Sequence, residues 1–149
     1  MRALGLDLGS VRIGVALSDS EGRLAVPSAT IGRSRNWETD HRTIADLVTE
    51  SGAEIVVVGL PRSMDGTVGP AEKRTRSEVR SLERAVGVPV ETYDERLSTV
   101  HATKMLHEAG FDTRQSRSRV DSSAAVVILQ GWLDHVRHDQ DTPGEPREP

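Results

Sequence analysis

Three acidic residues stand where carboxylates could do chemistry. Asp7 lies in an apolar strand with glycine on both sides at the two-residue spacing, in Gly5-Leu6-Asp7-Leu8-Gly9. Glu95 follows the end of a later predicted strand, and Asp121 opens the last predicted helix. A buried acid is costly unless something pairs with it, and carboxylate oxygens suit Mg²⁺ or Mn²⁺. The pattern predicts a divalent-metal site, and two such ions about 4 Å apart can drive phosphodiester hydrolysis.

Each acid also has a structural alternative. Asp121 precedes two serines and would make a good helix N-cap. Glu95 could pair with Arg96 at the surface, or favour the N-terminus of the helix that follows. Asp7 could accept hydrogen bonds from the amides of the turn after it. Strand alternation allows only one of Asp94 and Glu95 to face the site.

Arginines are the candidate substrate-binding residues, because their planar fork suits phosphate. Some are predicted beside the acids and others on a basic helix, where a solvated helix face is the alternative. The segment 59–69, which leads into that helix, resembles an anion-binding loop, although its glycines could equally be turn residues. It lacks the lysine of a P-loop. The candidates are Arg12, Arg62, Arg76, Arg80 and Arg96.

The hydrophobic pattern predicts an α/β domain with a five-stranded mixed sheet flanked by helices. A hairpin precedes a third, edge-like strand, and βαβ units follow. The strands are predicted at 3–9, 11–18, about 23–31, 54–59 and 88–93. The helices are predicted at 37–51, from Pro70 to Val86, from Leu97 to Gly110, and from Val120 onward, with a polar loop at 111–119.

Length and composition indicate one domain. The chain has 149 residues, no cysteine and a net charge of −4, which excludes a disulfide framework or a cysteine-ligated zinc site. No apolar run is long enough for a membrane span and no signal peptide is recognised, so we expect a cytoplasmic protein with no membrane partner. The five histidines are predicted to be solvated. The domain is expected at 1–138, with a disordered polar tail at 139–149.

Four motifs, in order, resemble the YqgF/RuvX family of bacterial ribonuclease H-like nucleases, whose members are also called Holliday junction resolvases. The resemblance covers roughly residues 3–135. One departure is Arg62, where an apolar residue commonly follows Gly-Leu-Pro. The motifs are Leu6-Asp7-Leu8-Gly9 with Arg12-Ile13-Gly14-Val15-Ala16, Val58-Gly59-Leu60-Pro61 with Asp65-Gly66, Asp94-Glu95-Arg96-Leu97-Ser98-Thr99, and Asp121 with Ala124-Ala125-Ile128-Leu129.

The resemblance implies a ribonuclease H-like fold and metal-dependent phosphodiester cleavage. Asp7, Glu95 and Asp121 would be the catalytic, metal-binding acids, with Mg²⁺ or Mn²⁺, two ions, as cofactor. Related nucleases often use a fourth acid, and Asp94 is a candidate for it. The implied function is 5′-end processing of pre-16S rRNA during ribosome biogenesis. The implied partners are structured RNA or branched DNA and the pre-ribosomal small subunit, bound by a monomer or a noncovalent homodimer.

Other functions remain open at this stage. A Holliday junction resolvase would use the same acids on branched DNA. A non-catalytic module would hold ribosomal RNA through its arginines during ribosome assembly. A sugar-kinase or actin-like ATPase also begins with an Asp-Leu-Gly hairpin, but it needs two such domains, which 149 residues do not supply.

Overall fold

The structure, a computed structural model, describes residues 1–97 and 114–141, with side chains at 1–97 and 124–139. Five strands and three helices are described, and a 3₁₀ turn (Glu95–Leu97) follows the last strand. In chain order they are β1 (Ala3–Leu8), β2 (Arg12–Ser18), β3 (Ala25–Gly32), α1 (Trp37–Ser51), β4 (Ile55–Leu60), α2 (Pro70–Val86), β5 (Val90–Asp94) and α3 (Arg114–Asp141).

The strands form one mixed sheet in the order β3-β2-β1-β4-β5. β1, β2 and β3 pair antiparallel, whereas β4 and β5 run parallel to β1. The edge position predicted for β3 is confirmed. Its register shifts opposite Val15 and Ala16, next to Pro27, which cannot donate to a ladder. The predicted five-stranded mixed α/β sheet is therefore confirmed.

Local sequence signals define α1 and α2. Asn36 caps α1 by accepting a hydrogen bond from the Glu38 amide at 2.9 Å, and Gly52 ends the helix in the left-handed conformation at φ 73°. Pro70 opens α2 and Gly87, at φ 69°, ends it. These are the positions at which such residues are favoured, and both predicted helices are confirmed.

Different helices cover the two faces of the sheet. Strand alternation sends Leu4 and Leu6 of β1 towards α1 and α2, and Ala3 towards α3. The second face, which we call the α3 face, is also the face of Asp7. The residues of α3 that pack on it are Ala124, Ala125, Ile128, Leu129, Trp132 and Leu133.

Glycines let α3 approach the sheet closely. A Cβ on Gly5 would lie 2.7 Å from Leu129 Cβ, and one on Gly59 would lie 2.3 Å from Ile128 Cδ1. Both distances are too short for real carbon atoms. A side chain at Gly5 would meet the Leu129 Cβ and push α3 outward, and one at Gly59 would force the Ile128 side chain to move. The glycines beside Asp7 thus fix the height of the helix above the carboxyl ends of the strands.

The last helix differs from expectation at both ends. It begins at Arg114, so residues predicted as a loop up to Arg119 are helical. It continues to Asp141, three residues past the predicted domain limit at 138. The helix predicted from Leu97 to Gly110 and the tail at 142–149 lie outside the described residues, except that Leu97 belongs to the 3₁₀ turn.

None of the described helices is long and apolar enough to cross a membrane.

Candidate active site

Asp7 lies near the carboxyl end of β1, on the α3 face, and only 4% of it is exposed. Its partner on β2 is Gly14. On the other side, Leu6 pairs with Val58 of β4, so the next positions along these parallel strands are Asp7 and Gly59. Glycine therefore stands next to the carboxylate on both neighbouring strands, so neither strand places a side chain of its own beside it, and the space over Gly59 is taken by Ile128 and Glu95.

Glu95 reaches the same part of the α3 face from the 3₁₀ turn after β5. Gly59 pairs with Tyr93, which packs in the α3-face core, and Glu95 follows two residues later. Its Oε1 lies 3.2 Å from the point where a Cβ on Gly59 would stand, and the residue is 9% exposed. Since neighbouring strands lie about 4.8 Å apart, the structure brings the Asp7 and Glu95 carboxylates together around Gly59.

Asp121 lies in α3, whose backbone is described there, but its side chain is outside the described part. The helix begins seven residues earlier, at Arg114, so the interpretation of Asp121 as the N-cap is wrong. Asp121 precedes Ala125 by one helical repeat of four residues, and Ala125 packs on the sheet. Positions four apart follow one side of a helix.

Asp94 is engaged elsewhere. Its Oδ2 accepts a 2.7 Å hydrogen bond from Arg96 Nη2 and lies 3.6 Å from Arg62 Nη1. Hydrogen bonds from Arg96 hold the pKa of the Asp94 carboxyl below its ordinary value, although burial acts in the opposite direction. Among the described side chains, no three acids or histidines form a group able to hold a metal. The structure therefore places Asp94 with arginines, apart from Asp7 and Glu95.

Three of the predicted arginines gather beside α2. The Nε atoms of Arg62 and Arg76 lie 3.4 and 3.0 Å from the buried Glu72 carboxylate. Arg96 joins them through Asp94, which it shares with Arg62. This set, which we call the arginine cluster (Arg62, Arg76 and Arg96), is held in place by Glu72 and Asp94 and carries an excess of positive charge.

The other two predicted arginines are separate from this cluster. Arg12 opens β2, two residues before Gly14, so it lies on the same face as Asp7 by register. Arg80 is exposed on α2. Of the two, the structure places Arg12 beside the acids.

One histidine contradicts the prediction that all are solvated. His41 of α1 is 1% exposed, and its Nε2 lies 2.8 Å from Glu78 Oε2 of α2. Arg33 also donates to both oxygens of Glu78, at 2.6 and 2.8 Å. The polar surroundings of His41 in the sequence concealed its burial, because the partner that satisfies it lies on another helix. His101 and His107 lie outside the described residues.

Sequence reasoning also missed the roles of Gly14 and Gly59 beside the acids. The sequence predicts Gly59 at the end of the strand 54–59 and at the start of a candidate anion-binding loop, and the structure places it within β4, under Ile128. The available signal was a glycine inside a run of β-branched residues, which often marks a close approach. The predicted turn at Asp65-Gly66 is confirmed, with Gly66 at φ 83°.

The family profile described as "RuvX: Holliday junction resolvase" matches residues 1–135. Similar curated proteins are named "Putative pre-16S rRNA nuclease". The one from Anaeromyxobacter sp. strain Fw109-5 is 51% identical over 134 residues, covering 90% of this chain and 97% of that protein. The one from Mycobacterium sp. strain KMS is 46% identical over 145 residues, covering 97% and 86%.

Among solved structures, RuvC of Thermus thermophilus aligns with a TM-score of 0.57 at 14% identity, over 93% of this chain and 97% of that one. The T. thermophilus RuvC in complex with Holliday junction substrate aligns with a TM-score of 0.58 at 14% identity, over 92% and 96%. At this identity the likeness shows the fold alone, which is ribonuclease H-like. Together with the profile match and the curated relatives, it identifies this chain as a member of the RuvX family.

Proposed function

We propose that this protein is a metal-dependent nuclease that hydrolyses phosphodiester bonds of nucleic acid. The observation that carries the proposal is the meeting of two buried acids, Asp7 and Glu95, around Gly59 at the carboxyl ends of three parallel strands. Sites in open α/β sheets gather at that end. Family membership supports the same chemistry.

The described residues fit a divalent cation. Asp7 and Glu95 offer only carboxylate oxygen, which is the donor that Mg²⁺ and Mn²⁺ take, and glycine on both neighbouring strands keeps other side chains of the sheet away from Asp7. Asp7, Glu95 and Asp121 are the residues that would hold Mg²⁺ or Mn²⁺. When bound, such ions lower the pKa of a water and stabilise the charge of the leaving oxygen.

The chain's own cations would bind and orient the substrate. Arg62 and Arg96 are held by Asp94 at the carboxyl end of β5, where their guanidinium groups can take the phosphate oxygens of a strand that crosses this end of the sheet. Arg12 lies on the Asp7 side of the same face. On this proposal Asp94 acts by positioning Arg96 rather than as a further metal ligand.

We assign the 5′ end of pre-16S rRNA as the substrate, because the curated relatives carry that name over nearly their whole length. On this proposal the protein acts in the cytoplasm, in contact with the pre-ribosomal small subunit. RNA trimming needs only one active site, which a monomer supplies.

A four-way DNA junction is the second candidate, favoured by the description of the matching family profile. Symmetric cutting of a junction needs two active sites, and a noncovalent homodimer would supply them. The charge distribution around the acids suits either polymer.

The test incubates the protein with labelled pre-16S leader RNA and, in parallel, a labelled four-way DNA junction. Each substrate is given Mg²⁺, Mn²⁺ or EDTA, beside the Asp7→Asn variant. Metal-dependent cutting of the RNA, lost in the variant, is the expected result. Cutting of the junction alone would transfer the assignment to DNA. Binding by both proteins with no cutting would contradict the nuclease and favour a non-catalytic assembly factor.

A further inference from the structure

A cleft of about 430 Å³ opens at the carboxyl end of β1, on the side of α1 and α2. Leu8 and Gly9, which follow Asp7 directly, form its floor. It therefore lies at the same end of the sheet as the acids but beneath the opposite face. We call it the Trp37 cleft, and its charged and aromatic lining residues are Arg33, Arg35, Trp37, Asp40, Arg74 and Glu78.

The charge of the cleft is positive at its mouth. Two acids lie in the wall, and Arg33 contacts both: it donates to both oxygens of Glu78, and its Nη1 lies 3.6 Å from Asp40 Oδ2. Arg33 Nε also donates to the Gly9 carbonyl at 2.9 Å. Arg35 and Arg74 are exposed and form no ion pair with any residue that the structure describes. In a chain of net charge −4, two unpaired arginines at one cavity favour an anionic ligand.

Trp37 supplies an aromatic surface in the same cavity. It is 38% exposed, and the His41 ring stacks against it with centroids 5.9 Å apart and an interplanar angle of 26°. Because His41 is itself buried and bonded to Glu78, the indole is supported from below. A supported, half-open aromatic ring beside arginines is the arrangement on which unpaired bases stack.

The backbone before Trp37 is also held in a special conformation. Arg35 has φ 70°, the only positive φ outside glycine among the described residues. Such strain persists only where the surroundings impose it. Here it turns the chain between the end of β3 and the cap of α1, so that Arg35 and Trp37 both line the cleft.

We propose that the Trp37 cleft binds an unpaired nucleotide of the substrate, with its base stacked on Trp37 and its phosphate on Arg35 and Arg74. The proposal rests on the proposed nuclease function, since the nucleotide belongs to the strand that passes the acids. The cleft begins one residue beyond Asp7, so a strand lying over the end of β1 reaches both places. The protein thereby selects substrates with a single-stranded segment next to the scissile bond.

The test measures binding separately from cleavage. A single-stranded 12-nucleotide RNA is titrated in EDTA, and tryptophan fluorescence is followed. The chain has two tryptophans, and Trp132 is 8% exposed with its Nε1 bonded to Glu91 at 2.8 Å, so it provides a constant background. We expect quenching in the native protein and none in Trp37→Phe, whose remaining signal comes from Trp132.

Affinity is then compared by filter binding. Trp37→Leu should weaken binding roughly 5-fold to 100-fold, the range for loss of one stacked base, and Arg35→Ala and Arg74→Ala should weaken it and flatten its salt dependence. Arg42→Ala is the matched control, because Arg42 lies on α1, pairs with Glu38 and is 69% exposed outside the cleft. It should bind like the native protein.

Three results would overturn the proposal. These are unchanged affinity in Trp37→Leu, equal losses in Arg42→Ala, or equal quenching by poly-glutamate, which would show an acidic-protein surface. Cleavage assayed in parallel separates the two proposals. Native cutting that does not change in the cleft variants leaves the nuclease standing and removes the nucleotide site. RNA binding that depends on Trp37, in a protein that cuts neither substrate, would leave the nucleotide site standing and contradict the nuclease.

Discussion

The carboxylate of Glu95 lies over the bare backbone of Gly59, with its Oε1 3.2 Å from the position of an added Cβ. The same added atom would lie 2.3 Å from Ile128 Cδ1. Gly59 thus determines both where the acid sits and how closely α3 approaches, although it carries no functional group.

Gly59→Ala should lower both stability and activity. The new methyl group has no room beside Ile128, and overpacking of this kind costs about 1 to 3 kcal/mol. Metal-dependent cleavage should fall further than the loss of folded protein explains, because Glu95 is displaced. Urea unfolding and initial cleavage rates measure the two effects. Gly32→Ala is the control, since a Cβ there meets nothing within 4 Å, and a similar loss in that variant would contradict the explanation.

Asp7→Asn should reduce cleavage by roughly 100-fold or more, because metal-assisted charge stabilisation is worth several kcal/mol. Binding of RNA in EDTA should be retained or strengthened, since a negative charge next to the phosphate is removed. Asp46→Asn, at an exposed acid on α1, is the matched control. A parallel loss of binding and folding in Asp7→Asn would show that Asp7 is structural.

Asp94→Asn should raise KM more than it lowers kcat, because it releases Arg96 without removing an acid from the α3 face. A pH series adds an independent readout. The pKa of Asp94 is lowered from its ordinary value of 3.8 by hydrogen bonds from Arg96, so its carboxylate stabilises the folded state above pH 3.8 and that contribution disappears as pH falls through the lowered pKa. The stability gap between native and variant proteins should be constant from about pH 7 to 5 and close below about pH 4. A stability difference between the native and Asp94→Asn proteins that grows as the pH falls would contradict the lowered pKa of Asp94.

Glu78→Ala should destabilise the domain by about 3 to 5 kcal/mol, the usual cost of removing one partner from a buried ionic pair. The side chains of Arg33 and Glu78 are only 13% and 4% exposed, and His41 would lose its partner too. Chemical unfolding measures the change. Glu83→Ala, at an exposed site on the same helix, should have little effect, and equal effects in the two variants would refute the role given to Glu78.

Elements set by neighbouring residues could be predicted from the sequence. Asn36 and Gly52 mark helix ends through hydrogen bonds to residues within one turn, Pro70 marks one through its fixed φ, and β4 is recognisable as a β-branched run. The last helix could not be delimited, because the polar residues from Arg114 onward carry no apolar periodicity. The sequence therefore predicts those elements whose ends depend on residues close together in the chain.

The candidate site was predictable in its residue types and not in its arrangement. Alternation showed that Asp94 and Glu95 face opposite ways, but only the packing of Tyr93 decides that Glu95 shares the face of Asp7. The burial of His41 depends on Glu78, 37 positions away, and the role of Gly59 depends on Ile128. Contacts between distant residues leave no mark on the local pattern. The metal-binding roles of Asp7, Glu95 and Asp121 stay predictions.

The edge strand β3 limits how two copies of this chain can pair. Along β3, Pro27 has no amide to offer, and the Ala25 amide is bonded to the side chain of Gln130 from α3 at 2.9 Å. The register shift beside Pro27 further disrupts the strand. An edge blocked in these ways is a poor template for a second chain. Two copies of this protein would therefore not join their sheets through β3, and any dimer built to cut two strands at once would have to meet through another surface.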